Sequence, residues 1–246
     1  MFLYTLKYGG ILIRIISIVG KKNTGKTSLT VKVIEELNNR GFKVGSIKHS
    51  HHKMDIDHKG KDTYLHKEAG SKLVVGMGDT AFFNIQKEIP LERLLFLMKI
   101  IEEPDFVVIE GFKNYNYSKI STSPEINDEY VIEQVDVFNL DDNDIIDIVD
   151  NIEKHSHDIT NTLYTNECGY SDGESIGKAI TKGEIAIDPN EFEVNLAINE
   201  KVIGLNYFVN QFLKNSIIGM LKTLKTKKFG VNDFDKIEIL IQNKEK

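Results

Sequence analysis

An α/β fold, with a mostly parallel sheet flanked by helices and a small α+β domain after it, is predicted by three features of this 246-residue sequence. The run IRIISIV (13–19) is β-branched and ends at Gly20, and Leu29, Val33, Ile34 and Leu37 then recur at helical spacing. The next apolar run, FKVGSIKH (42–49), is reached only through that helix, so the connection is a right-handed crossover and the pairing parallel. DFVVIEG (105–111) carries four consecutive apolar residues, as a strand buried on both faces requires.

The remaining elements follow from period and punctuation. DTYLHKEAG (62–70) reads as a short helix closed by Gly70, and KLVVGMG and TAFFNIQ alternate like strands. After Pro90, LERLLFLMKIIEE is helical; EYVIEQVDVFNL and IIDIVDNIEKH supply the last strand and helix of a first domain over 1–155. Residues 156–190 begin without a strong period and read as a linker or a small irregular module. Over 191–246 the pattern is strand, helix, strand: FEVNLAI, a helix from about Tyr207 to Leu224, and KIEILIQ. Val209, Leu213, Ile217, Met220 and Leu224 form one apolar stripe on that helix, expected to pack rather than to bind a ligand.

Composition limits the class of partner. A 41% hydrophobic content supports a core, and a formal net charge of -6 does not favour nucleic acid or an anionic membrane. The apolar first twenty residues are broken by Lys7, Gly9, Gly10 and Arg14, so a cytoplasmic protein without a membrane partner is expected. Cys168 is the single cysteine, which excludes an intrachain disulfide. Between Glu125 and Asp158 twelve carboxylates face one lysine, a balance typical of solvated helix faces and loops.

The strongest chemical signal is GKKNTGKT, Gly20 to Thr27, which satisfies G-x-x-x-x-G-K-[ST] between a strand and a helix. That context makes the fold a P-loop NTPase. Gly20, Lys21, Lys22, Asn23, Thr24, Gly25, Lys26, Thr27 and Ser28 are the nucleotide-binding candidates. The glycines let backbone N-H groups turn inward to phosphate, and the following helix adds the positive end of its dipole. Lys26 is expected to bridge the β- and γ-phosphates, and the Thr27 hydroxyl to ligate Mg²⁺. A second carboxylate is needed at the end of a neighbouring strand; Glu110 in VVIEG stands there, as a metal-side acid or an orienter of the nucleophile. Lys26 and Glu110 are therefore the catalytic candidates, and Thr27 and Glu110 the metal candidates. The asparagine-lysine-x-aspartate guanine signature is missing: FNLDDND lies at the right distance but lacks the lysine.

With the P-loop, IKHSHHKMDIDHKGKDTYLHKEAG and FVVIEGFK in this order, residues 13 to 155 resemble the MobB family, the molybdopterin-guanine dinucleotide biosynthesis protein B. The resemblance implies a GTP-binding, weakly hydrolysing, dimeric protein with GTP and Mg²⁺ as cofactors. It also implies action beside the guanylyltransferase that joins GMP to molybdopterin, in molybdenum or tungsten cofactor synthesis. By position the family's signature loop falls on Lys48 to Asp62, and its strand-end pair on Glu110 and Gly111. Lys21, Lys22 and Asn23 depart from the small residues more common there; the lysines could add phosphate contacts or crowd the loop. TNECGYSDGESIGKAITKGE resembles a small four-iron four-sulfur module, but Thr165 and Gly173 stand where two ligands would be. One thiolate, Cys168, cannot hold a cluster that uses four, so no cluster is expected.

The histidine-rich stretch KHSHHKMDID leaves three readings. Lys48, His49, His51, His52, Asp57, Lys61 and Asp62 lie on a loop that leaves the carboxyl end of a parallel strand, where ligands bind in open α/β sheets. They are candidates for contact with phosphates of GTP or of the pterin product. His49, His51 and His52 also offer zinc or nickel chemistry, the basis of an alternative function as a metal-delivering GTPase. In extended backbone, however, His52 points away from the other two. A solvated turn is the third reading. A small-molecule kinase or ligase is a further functional alternative, without a legible acceptor pocket. No arginine stands in either signature stretch, so intrinsic turnover is expected to be slow.

Overall fold

A computed structural model describes residues 13–50, 57–156, 173–184, 194–203, 205, 207–234 and 236–241. Five strands form one sheet in the order β2-β5-β1-β6-β7, every neighbouring pair parallel. These are β1 (Arg14–Val19), β2 (Val44–Lys48), β5 (Phe106–Glu110), β6 (Ser118–Ser121) and β7 (Val131–Gln134). The central β1 and β5 are apolar on both faces because helices cover both. On one side Ile16, Ile18 and Val108 pack with Leu29, Val33 and Leu37 of α1 (Lys26–Asn39) and with Ile145, Ile148 and Val149 of α4 (Asp142–His155). On the other, Ile13, Ile15, Val107 and Ile109 meet Leu91 and Leu95 of α3 (Leu91–Ile101).

One strand was not legible in advance. β6 reads Ser-Lys-Ile-Ser, a polar string without period, yet all four residues are buried beside the phosphate-loop strand. Its polar atoms are satisfied locally. Ser118 Oγ donates to the His155 carbonyl at 2.6 Å, Lys119 Nζ pairs with Asp128 at 2.5 Å, and Ser121 Oγ donates to the Ser123 carbonyl at 2.8 Å.

β3 (Leu73–Met77) and β4 (Ala81–Ile85) form an antiparallel hairpin separate from the main sheet. α2 (Asp62–Glu68) packs against β3, with Val74 buried between them. The opposite face of the hairpin carries Leu73, Val75, Met77, Ala81, Phe83 and Ile85, and all six are exposed.

The second half departs from the strand-helix-strand expectation. Leu196–Ile198 and Lys201–Ile203 form a small antiparallel hairpin, followed by a helix over Tyr207–Leu221. Lys236–Ile241, expected within a strand, has no regular structure and pairs with no strand among the described residues, and Ile239, Leu240 and Ile241 lie exposed. The apolar stripe is only partly packed: Val209, Leu213 and Ile217 are half-buried, whereas Met220 and Leu224 are exposed and Leu224 lies past the helix end. A further helix, Gly173–Thr181, starts within the segment read as a linker. Thr165 and Cys168 lie outside the described residues, within the first eight positions of the iron-sulfur-like stretch, whereas Gly173 opens the helix.

Several contacts of this second half with the preceding residues fall where strands begin, and others reach α3 and Lys87 beyond β4. Lys178 pairs with Glu129 before β7 at 2.7 Å, the Thr181 and Ser118 hydroxyls lie 3.2 Å apart at the start of β6, and Lys236 pairs with Glu103 ahead of β5 at 2.6 Å. The carboxyl edge of the sheet is where the phosphate loop leaves β1.

Candidate functional site

The loop Gly20–Gly25 joins β1 to α1 and is shaped by backbone that side chains resist. Gly25 has φ 80°, and a β-carbon there would come within 2.7 Å of the Val137 side chain. Gly20 approaches the end of β6 so closely that a β-carbon would overlap the Thr122 hydroxyl. Asn23 also sits at positive φ, 63°, a conformation that asparagine tolerates better than most residues. Gly25 caps α1 without a side-chain hydrogen bond, and no acidic residue lies in the first turn. The first N-H groups and the positive end of a fourteen-residue helix are therefore directed at the loop without an acidic residue of the helix's own first turn.

Parallel register assembles the remaining groups. Glu110 is the last residue of β5 and stands level with Lys48 of β2 on one side and Ile18 of β1 on the other. It is only 5% exposed. Both of its carboxylate oxygens lie 3.0 Å from the Thr27 hydroxyl, which donates, and the Lys48 ammonium forms an ion pair with Oε1. Lys26 Nζ donates to the Lys21 carbonyl inside the loop. Burial lowers the Lys26 pKa from its ordinary value; the Glu110 charge opposes that shift and Lys48 adds to it. Lys26, Thr27, Lys48 and Glu110 thus form one group at the carboxyl edge.

The end of β6 supplies a wall that sequence reasoning missed. Thr24 and Thr122 hydroxyls lie 2.6 Å apart, the Lys21 backbone N-H donates to Ser123 Oγ at 2.8 Å, and Lys21 Nζ pairs with Glu125 at 2.5 Å. Hydrogen bonding to Lys21 lowers the Glu125 pKa. The signal available was Ser-Thr-Ser immediately before Pro124, hidden because β6 itself was not recognised. Lys22 and Ser28 are exposed beside the loop. The acidic FNLDDND segment has structural employment: Asp136 accepts from Asn139 Nδ2 at 2.7 Å, and Asp141 closes a capping box on α4 with Asp144.

The histidine loop is described at its two ends. His49 follows β2, its N-H donates to the Glu110 carbonyl at 3.0 Å, and its ring stacks on Phe112 with centroids 4.0 Å apart. Gly111, the strand-end partner of Glu110, donates its N-H to the Ile18 carbonyl at 3.0 Å. His51 and His52 lie outside the described residues. Asp57 accepts from Thr63 Oγ1 at 2.9 Å, and Lys61 and Asp62 begin α2; among the described residues none of the three bonds to the Lys26–Glu110 group.

A metal at this group would meet a hydroxyl and a carboxylate, both hard oxygen donors, and phosphate oxygens and water would complete its shell. That set fits Mg²⁺, which is bound through one or two carboxylates and keeps several waters. Among the described residues no group of three or more His, Cys, Asp or Glu side chains is placed to hold a metal by itself. No helix among them is long and apolar enough to cross a membrane.

The arrangement can bind a phosphate chain and polarise it. The three arginines are engaged elsewhere: Arg14 lies over the Phe106 ring at 3.8 Å, Arg40 pairs with Glu36, Asp150 and Glu153, and Arg93 is on α3.

The chain is similar to known proteins. A putative molybdopterin-guanine dinucleotide biosynthesis adapter protein of Methanocaldococcus jannaschii is 27% identical over 225 residues, covering 86% of this chain and 92% of that protein. The molybdopterin-guanine dinucleotide biosynthesis adapter protein of Haemophilus influenzae is 36% identical over 162 residues, covering 59% of this chain and 90% of its own length. The crystal structure of Bacillus subtilis MobB aligns over 44% of this chain and 67% of its own, at 29% identity and a TM-score of 0.40. Residues 15–150 match the family model described as "Molybdopterin guanine dinucleotide synthesis protein B", and the chain belongs to that family, MobB.

Proposed function

We infer that this chain binds GTP with Mg²⁺ at Gly20–Thr27 and Glu110, and serves as an adapter for the guanylyltransferase that forms molybdopterin guanine dinucleotide. The observation that carries the reading is the Thr27–Glu110 contact at the mouth of the phosphate loop, within the region matched by the family model. Lys26 would exchange the Lys21 carbonyl for the β- and γ-phosphates, Thr27 and Glu110 would hold Mg²⁺, and Lys21 and Lys48 would line the rim. Bound Mg²⁺ supplies charge neutralisation of the phosphate chain. With every arginine committed to packing or ion pairs, turnover without a partner is slow. The names of the relatives support the adapter role.

Homodimerisation accompanies this reading. The exposed face of the β3–β4 hairpin presents six apolar residues in cross-strand register, with Met77 87% exposed. A two-stranded hairpin is marginal by itself, and the same face on a second copy covers it by two-fold symmetry.

The adapter role is tested by mixing the purified chain with a molybdopterin guanylyltransferase in the presence of GTP·Mg²⁺ or GDP·Mg²⁺. A complex on size exclusion that depends on the triphosphate, together with faster dinucleotide formation, supports it. No complex and no change in rate would remove it.

A further inference from the structure

Glu110 is fixed and nearly buried, and a carboxylate in that position needs a cation or donors to remain ionised. Thr27 supplies a donor, and the Lys48 ammonium supplies the cation. The two members of the ion pair differ in freedom: the Glu110 side chain is 7% exposed and the Lys48 side chain 47%. Lys48 therefore reaches Glu110 from the solvent side on a flexible stem and can withdraw without burying or stranding its own charge. Its partner cannot follow. The oxygen that Lys48 holds is also one that Thr27 touches, so the ammonium sits against the donor pair suited to Mg²⁺.

We propose that Lys48 is a positioning residue that stands in for the divalent cation, neutralising Glu110 until Mg²⁺ enters with the nucleotide and displaces it. The proposal rests on the nucleotide reading above and deepens it. Ammonium and Mg²⁺ compete for one carboxylate because two cations in contact with it would repel each other. Lys48 is the last residue of β2, and His49 after it is held by its N-H on the Glu110 carbonyl and its ring on Phe112, so the Lys48 side chain can leave while the backbone stays in place.

The test uses the full chain and two readouts. Binding of the fluorescent nucleotide mant-GTP is titrated with Mg²⁺ for the wild type, Lys48→Met, Lys48→Gln and Lys48→Arg, and the melting temperature of each is measured without nucleotide in EDTA. The expected result is that Lys48→Met and Lys48→Gln reach half-saturation at about tenfold lower Mg²⁺, because the competing cation is gone. Both should also melt about 5 °C lower in EDTA, since Glu110 loses the cation in direct contact with it, and Mg²⁺ should restore part of that loss. Lys48→Arg keeps the cation and should keep the wild-type Mg²⁺ requirement. If the neutral variants need as much Mg²⁺ as the wild type, or more, while the wild type binds mant-GTP, Lys48 is a phosphate ligand and this proposal alone fails. If the wild type binds no mant-GTP at any Mg²⁺ concentration, the nucleotide reading fails and takes the proposal with it.

Discussion

The Thr27 hydroxyl lies 3.0 Å from both carboxylate oxygens of Glu110, joining the first turn of α1 to the last residue of β5. A strand end and a helix start meet there only because β5 is inserted next to β1 in the sheet. Glu110→Gln keeps the shape and removes the charge, so phosphate release from GTP should fall by about 100-fold while nucleotide binding in EDTA changes little. Thr27→Ala should raise the Mg²⁺ needed for binding by about tenfold. Single-turnover phosphate release and Mg²⁺ titration measure the two effects; equal loss of binding in EDTA for both variants would show that neither residue acts on the metal side.

The hairpin face carries the second prediction. Val75 and Phe83 are cross-strand partners on the exposed side of β3 and β4, so Val75→Asp with Phe83→Asp places two charges where a second copy would dock. The dimer dissociation constant should rise by at least about 30-fold, read by light scattering across a dilution series. A wild type that is monomeric at high concentration would remove the hairpin as a self-association surface.

How much of this was legible follows the chemistry of each element. β1, β2, β5, α1 and α3 were readable because burial on two faces or one leaves an apolar pattern in the chain. β6 was not, since Ser118, Lys119 and Ser121 hide their polarity in bonds to His155, Asp128 and Ser123 that only the fold creates. Missing β6 meant missing Thr122, Ser123 and Glu125, the wall against Gly20, Lys21 and Thr24. Motif and strand-end rules single out Lys26, Thr27 and Glu110 locally, and the fold brings the three together at the carboxyl edge of the sheet. Asp57, Lys61 and Asp62 were placed beside them by the strand-end rule and the family's signature loop; in the structure Asp57 accepts from Thr63, Lys61 caps α2 and Asp62 opens it. The strand expected over Lys236–Ile241 did not form because an apolar run becomes a strand only when it pairs, and this one pairs with no strand among the described residues.

Tyr130 gives a pH dependence. It is buried between β7 and the helix Gly173–Thr181, and burial, with Glu174 and other nearby carboxylates, pushes its pKa up to about 12 from 10.0. The native state then keeps a proton that the unfolded chain releases near pH 10, so its contribution is intact below that value and is lost as pH rises towards 12. Absorbance at 295 nm should show one tyrosine ionising last, absent in Tyr130→Phe, with melting temperature falling over the same interval. A Tyr130→Phe titration identical to wild type would contradict the packing of that helix on β7.

Equilibrium binding of GTP to the full chain, by calorimetry with and without Mg²⁺, tests the central claim most directly. The expected result is binding strengthened by Mg²⁺ and weakened about 10- to 100-fold by Lys26→Ala, since a charge-assisted contact to the β- and γ-phosphates is removed. No heat of binding at millimolar GTP, or an affinity indifferent to both Mg²⁺ and Lys26, would contradict it.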